Sequence, residues 1–230
     1  MVLLYHTHMS TKIIYFIRHG ETESNANNIR QGSTGFLSEK GRAQALETAK
    51  KFPHKKGRAE VIISSPFERA KETAEILGKE LSLPVEYCDL LVERRNPSEI
   101  IGRSGDDEEV RKIVDRIDKS FHDNDLRYSD EENFTDLRNR SRELLKYIKS
   151  RKEEKIIMVT HGIFLKMVIS TMLHNNHLNA SEYNRLSFFN PMENAELTVC
   201  RYTTHWYWLG QDFWELLVWN GQTEIIIKPE

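Results

Sequence analysis

Apolar residues in this chain gather in short continuous runs, and between the runs other apolar residues recur at helical spacing. Lys12 to Ile17 reads Lys-Ile-Ile-Tyr-Phe-Ile, the kind of run that a parallel sheet buries on both faces. Downstream, Ser38 can cap a helix reaching about Phe52, with Ala43, Leu46, Ala49 and Phe52 on one face and Pro53 as its stop. Val61 to Ile63 predicts a second strand, after which Ser65 and Pro66 predict the cap and opening of a helix extending to about Leu83. Pro84 to Leu91 and Lys155 to Thr160 predict two more strands, the latter leading into an apolar helix over Ile163 to Leu173. Glu196 to Tyr202 and Phe213 to Trp219 have strand character, and Asn220-Gly221 signals a hairpin turn into a last apolar run, Glu224 to Lys228.

Strands alternating with helices predict an α/β fold, a three-layer sandwich with a mostly parallel central sheet flanked by helices. From about Gly102 to Lys152 the chain is highly charged and predicts two helices separated by Asn124 to Asp130, with too few apolar residues for a separate core. It is expected to be a mainly helical insertion, about residues 102–132, and a flanking helix within a single domain spanning 12–230. Met1 to Thr11 is expected to be a flexible extension.

Composition narrows the classes without naming one. The chain of 230 residues is 39% hydrophobic and 30% charged, with a formal charge of -2, which describes a folded globular protein and gives no basic footprint for nucleic acid. Two cysteines, Cys88 and Cys200, do not suggest a disulfide framework. The apolar start Val2-Leu3-Leu4-Tyr5 is too short for a secretory segment and no membrane-spanning run follows, so a cytoplasmic protein with no membrane partner is expected. Oligomeric state is not legible.

The chemistry lies at the strand ends. Arg18 and His19, then Ser64 to Arg69, then His161 and Gly162 each follow a predicted strand, and in an open α/β sheet the carboxyl ends of the strands share one crevice. Two arginines and two histidines there suggest an anion site, to which the helix starting near Ile163 can add backbone donors. An imidazole nitrogen can attack phosphorus, provided the other ring nitrogen is held by an acceptor such as a backbone carbonyl, and His19 and His161 are the candidates. Gly20 would allow the tight turn that supplies that carbonyl. A carboxyl is needed to protonate the leaving alcohol and later to deprotonate water, and Glu93, just past the third strand, is the best placed.

Arg18-His19-Gly20-Glu21-Thr22 with Asn25 resembles the RHGETxxN signature of the histidine phosphatase, or phosphoglycerate mutase-like, superfamily. Ser64 to Ala74 resembles that family's second block, SSPxxRAxxTA, and Thr160-His161-Gly162 its third. The resemblance implies His19 as nucleophile, Arg18, Arg69 and His161 as phosphoryl-binding groups, Glu93 as proton donor, and Asn25, Gln31 and Gly162 as further substrate-binding positions. It implies a small phosphorylated substrate and no metal or other cofactor, and the chain has no HExxH pair or Cys/His ligand set; His174-Asn175-Asn176-His177 is the nearest imitation. Two departures bear on specificity. The stretch Gly32 to Gly41 is one residue shorter than the family's usual loop and lacks its Trp, Asp and Pro, and Ser24 stands where glycolytic mutases usually carry Trp. The loop leaves the substrate open, and Ser24 favours phosphomonoester hydrolysis over phosphoglycerate mutase-type transfer, with a non-catalytic phospho-ligand-binding protein as a third reading.

Plainer explanations exist residue by residue. Arg69 can be a surface residue paired with Glu72 one turn along. Glu93 can pair with Arg94 or Arg95, and Glu99 is a rival acid. Arg94, Arg95 and Arg103 can be solvated loop charges or can attract a second anionic group of the substrate. The late aromatics Trp206, Tyr207, Trp208, Phe213, Trp214 and Trp219 are more simply sheet packing than a binding surface.

Overall fold

A computed structural model describes residues 11–53, 58–121, 126–174, 177–189, 192–204 and 212–221. Of the expected extension 1–11 only Thr11 is described, and it opens a strand instead; the rest of it, residues 206–208 and the run 224–228 lie outside the described residues. A six-stranded sheet has the order β3-β2-β4-β1-β5-β6, with β1 (Thr11–Arg18), β2 (Val61–Ser64), β3 (Val85–Tyr87) and β4 (Lys155–Thr160) mutually parallel. β5 (Leu197–Thr204) runs antiparallel to β1 and to β6 (Asp212–Gly221), completing one edge as the pattern predicts.

Strand alternation explains the layers. Along β1, Ile14 and Phe16 enter one core while Ile13, Tyr15 and Ile17 enter the other, because successive side chains point to opposite faces. The Ile13 face is covered by α2 (Glu39–Lys50) and α3 (Glu68–Leu81) through Ala49, Ala70, Ala74 and Leu77. The Phe16 face is covered by α5 (Phe134–Ser150) and α6 (Gly162–His174) through Leu137, Leu144, Ile148, Phe164 and Val168. The charged middle thus supplies a core helix. Its other helix, α4 (Glu108–Ser120), packs Val110, Ile113 and Ile117 on Ile100 in a small cluster of its own, which the scarcity of apolar residues did not predict.

Several boundaries differ from the pattern for identifiable reasons. Ser38 does cap α2, accepting from Gly41 N at 3.0 Å. The buried face of α2 is Gly41, Ala45, Thr48 and Ala49, however, and Leu46 is 40% exposed, because Gly41 must dock on the backbone of Glu21. α3 begins at Glu68 rather than Pro66, since Ser65 Oγ accepts from Phe67 N and keeps that residue extended. β3 stops at Tyr87, where the chain folds into a 3-10 turn, Asp89–Leu91, that buries Leu91. Asn220 takes the left-handed conformation expected of a turn (φ 45), but Gly221 still pairs with Leu197 of β5. Two helices were not anticipated, the one-turn α1 (Glu23–Ala26) and α7 (Ala180–Phe189). Among the late aromatics described, Trp214 packs on Tyr202 at 4.8 Å between ring centroids, and Trp219 lies against the main core.

Candidate active site

The carboxyl ends of β1, β2 and β4 do converge. Arg18 sits in register with Thr160, and His19 N donates to Thr160 O at 2.9 Å. The loop that follows is pressed against the start of α2: a Cβ on Gly20 would lie 2.5 Å from Gly41 O, and one on Gly41 2.0 Å from Glu21 O. Glycine is therefore required at position 20 for close backbone approach. It is not there for a left-handed turn, because Gly20 is absent from the positive-φ glycines, Gly35 and Gly102. Gly20 O still takes the hydrogen bond expected of it, from His19 Nδ1 at 2.8 Å. Thr22 and Asn25 then cap α1 reciprocally.

Hydrogen bonds engage both histidines and fix the tautomer of His19. With His19 Nδ1–H committed to Gly20 O, Nε2 carries the lone pair, and Arg69 Nε–H points at it from 3.2 Å. Burial, then Arg69 and Arg18, hold the His19 pKa well below its usual 6.5, so the ring is neutral. His161 is 0% exposed and lies 5.1 Å from His19 between ring centroids; burial, then Arg69, likewise push its pKa well down. Its Nε2 is 2.8 Å from Ser65 Oγ, and that hydroxyl already accepts from Phe67 N. When the hydroxyl donates its proton to Nε2, the ring proton sits on Nδ1. His161 Nδ1 is buried with no hydrogen-bond partner among the described residues.

Two arginines flank these rings. Arg69 is 2% exposed, donates to Gly32 O at 2.8 Å, and has its pKa lowered to about 10 by burial, which leaves it cationic at neutral pH. Its surface reading fails, because Glu72 instead binds Arg42 Nε at 2.6 Å and Leu37 N at 2.9 Å. Arg18 binds Met192 O, and its buried Nε has no partner among the described residues.

Glu93 stands across from them, near enough for its charge to act on both Arg18 and Arg69. Its carboxylate accepts from Arg94 N at 2.8 Å, Phe164 N at 2.9 Å and Ile163 N at 3.2 Å. The donors at the start of α6, which the sequence reading offered to phosphate, are therefore occupied by Glu93. A guanidinium from α5 holds the turn that carries it: Arg140 donates to Leu90 O (3.1 Å), Val92 O (2.7 Å) and Glu93 O (3.4 Å). The same guanidinium makes a two-point pair with Glu132, both side chains being 13% exposed, and packs 4.0 Å from the Phe164 ring centroid. Replacing Arg140 with Leu strands a largely buried carboxylate and three carbonyls, so a loss of about 3–5 kcal/mol in urea unfolding is expected. Replacing Glu132 as well should recover part of it.

Arg18, His19, Arg69 and Glu93 border a cavity of about 300 Å3, and His161 lies buried behind its wall. Asn25, Gln31 and Gly162 lie on its wall, as does Ser24. The rival acid Glu99 is exposed and bonded to Tyr128. Arg103 is engaged with Asp107 and Glu109 and Arg95 with Asp130 O, so neither faces the cavity. Sequence reading missed Lys166 on the cavity wall, where it donates to Ser187 O at 2.8 Å. Lys166 looked like one polar break in an apolar helix. Ser65 was legible only as a cap, and its bond to His161 required the fold. Among the described residues no group of three or more His, Cys, Asp or Glu side chains is placed to hold a metal, and His174 Nδ1 lies 3.1 Å from Ser170 O.

Comparison with known proteins places the chain among phosphatases and mutases of similar sequence and fold. The Bacillus subtilis protein named uncharacterized phosphatase PhoE is 39% identical over 82 residues, covering 35% of this chain and 42% of PhoE. The probable phosphoglycerate mutase GpmB of Escherichia coli is 29% identical over 184 residues, 70% of this chain and 74% of that protein. A mycobacterial glucosyl-3-phosphoglycerate phosphatase, solved with VO3, superposes with a TM-score of 0.72 at 26% identity, covering 91% of this chain and 99% of its own. YhfR of Bacillus stearothermophilus shares the fold, with a TM-score of 0.71 at 24% identity over 90% of this chain and 96% of its own. The model of the histidine phosphatase superfamily (branch 1) matches residues 14–211, so the strand-end histidines and arginines sit in a chain that belongs to that superfamily.

Proposed function

We propose that this chain is a phosphomonoester hydrolase that works through a phosphohistidine at His19, with Glu93 as proton donor. One observation carries the reading: His19 is held neutral, with its Nε2 lone pair facing the buried guanidinium of Arg69. The substrate phosphoryl group enters beside Nε2 and takes over the Arg69 Nε–H. Arg18 Nε–H and His161 Nδ1–H, both without partners among the described residues, supply further donors to its oxygens. Nε2 attacks phosphorus, the bond from phosphorus to the ester oxygen breaks, and that oxygen leaves with the Glu93 proton. Glu93 then takes a proton from water, whose oxygen attacks the phosphohistidine and releases inorganic phosphate. No step calls for a metal ion.

Ser65→Ala removes the hydroxyl that sets the His161 ring proton on Nδ1. A fall of about tenfold in kcat/KM is expected, the cost of one hydrogen bond, with the ring nitrogens of His161 shifting in the NMR spectrum. An unchanged rate would mean that the tautomer does not matter.

The small Ser24 on the cavity wall leaves room for water, which favours hydrolysis over retention of the phosphoryl group for isomerisation. Incubating the protein with an aryl phosphate and with phosphoglycerates, without added metal, separates the readings. Phosphate release without isomer interconversion is expected. Interconversion faster than release would make the chain a mutase, and neither activity would make it a phospho-ligand-binding protein.

A further inference from the structure

The phosphate pocket opens beside a larger one. A cavity of about 740 Å3 shares Arg30 and Ile163 with it and extends past Arg94, Phe121, Tyr183 and Arg185. That volume lies within the range of roughly 300–1,000 Å3 typical of sites that enclose a whole organic ligand. Its charge is one-sided: Arg30, Arg94 and Arg185 face a single carboxylate on the wall, Asp118, which is exposed.

Two of the arginines are held ready. Arg30 is fixed by its backbone, which donates to Arg103 O at 2.9 Å and accepts from Gly102 N at 2.8 Å. The Arg94 guanidinium rests 5.5 Å from the Phe121 ring centroid. The Nε atoms of both are buried and have no hydrogen-bond partner among the described residues. Two arginines on one cavity wall, with a single exposed carboxylate against them, make the cavity a site for an anion. The Tyr183 hydroxyl does not fill that role, since it is turned toward Ile163 O at 3.3 Å.

We propose that this cavity receives the leaving group and selects phosphomonoesters whose alcohol carries a second anionic group, bound jointly by Arg30 and Arg94. The inference rests on the hydrolase reading above. Because Arg30 borders both cavities, it spans the transferred phosphoryl group and the second anion, and it sets the distance between them.

Matched substrates test it. 6-Phosphogluconate and sorbitol 6-phosphate differ by a carboxylate against a hydroxymethyl group; fructose 1,6-bisphosphate and fructose 1-phosphate differ by a phosphate. A preference of about tenfold to a hundredfold in kcat/KM for the anionic member of at least one pair is expected, the range of a charge-assisted hydrogen bond, and the arm that shows it identifies the anion. Arg30→Met and Arg94→Met, each checked for folding by thermal unfolding, should each cut that ratio, mainly through a higher KM for the anionic member. No preference in either pair, or a preference that neither variant changes, overturns the proposal while turnover of an aryl phosphate leaves the hydrolase reading standing. No release from any substrate, the aryl phosphate included, sinks both.

Discussion

Replacing His19 with Ala is expected to abolish turnover, by at least about a thousandfold in kcat, and to leave no acid-labile phosphate on the protein. The expectation follows from the fixed ring. Nδ1 is tied to Gly20 O, and among the described residues His19 is the only imidazole on the cavity wall. The fold should survive, since the variant forfeits one neutral hydrogen bond worth about 1 kcal/mol and one from Arg69 worth about 1.5–3 kcal/mol, which the opened space lets water replace. Its stability should respond to acid in a specific way. Both rings are held neutral well below their usual pKa in the folded protein, whereas in the unfolded chain they take up protons below about pH 6.5. The unfolded state then binds more protons, so stability falls as pH drops through about 6.5, and His19→Ala should make that decline shallower. Phosphate trapping after acid quench, together with urea unfolding at several pH values, checks both parts. Protein-bound, acid-labile phosphate in the variant would move the nucleophile elsewhere.

Glu93→Gln is expected to slow alkyl phosphates by about a hundredfold to ten-thousandfold, the usual range for a lost general acid, while an aryl phosphate is slowed far less. A phenolate leaves with little protonation and does not need the donor. Gln is the informative replacement because its carbonyl can keep one of the two bonds to α6 that Glu93 makes at Phe164 N and Ile163 N. A plot of rate against leaving-group pKa should steepen in the variant. If all substrates slow equally, Glu93 is the cap of α6 and nothing more, and the proton donor must be sought elsewhere.

Much of the site could be read from the chain because each group follows a strand. Arg18 and His19 after β1, Arg69 in the first turn of α3 and His161 after β4 are brought together by parallel pairing alone, which hydrophobic runs reveal. What the pattern hid depends on contacts across the fold. Ser65 looked like a helix cap, and only the approach of β4 to β2 puts it against His161. Gly20 looked like a turn residue, but the constraint on it is the carbonyl of Gly41, far along the chain. Ala43 and Leu46 matched a helical stripe, yet the docking of Gly41 turns them outward. α7 carries Tyr183 and Arg185 to the larger cavity from a stretch without a clear apolar period, so the leaving-group side of the site was not legible.

The central claim is that the phosphoryl group is handed first to His19 and then to water. The stereochemistry of hydrolysis at phosphorus tests it most directly, using a phosphorothioate monoester made chiral with one oxygen isotope and hydrolysed in water carrying another. Two in-line displacements give inorganic thiophosphate with overall retention of configuration, which is the result expected. Inversion would mean that water attacks the substrate directly, and the phosphohistidine account of this site would be wrong.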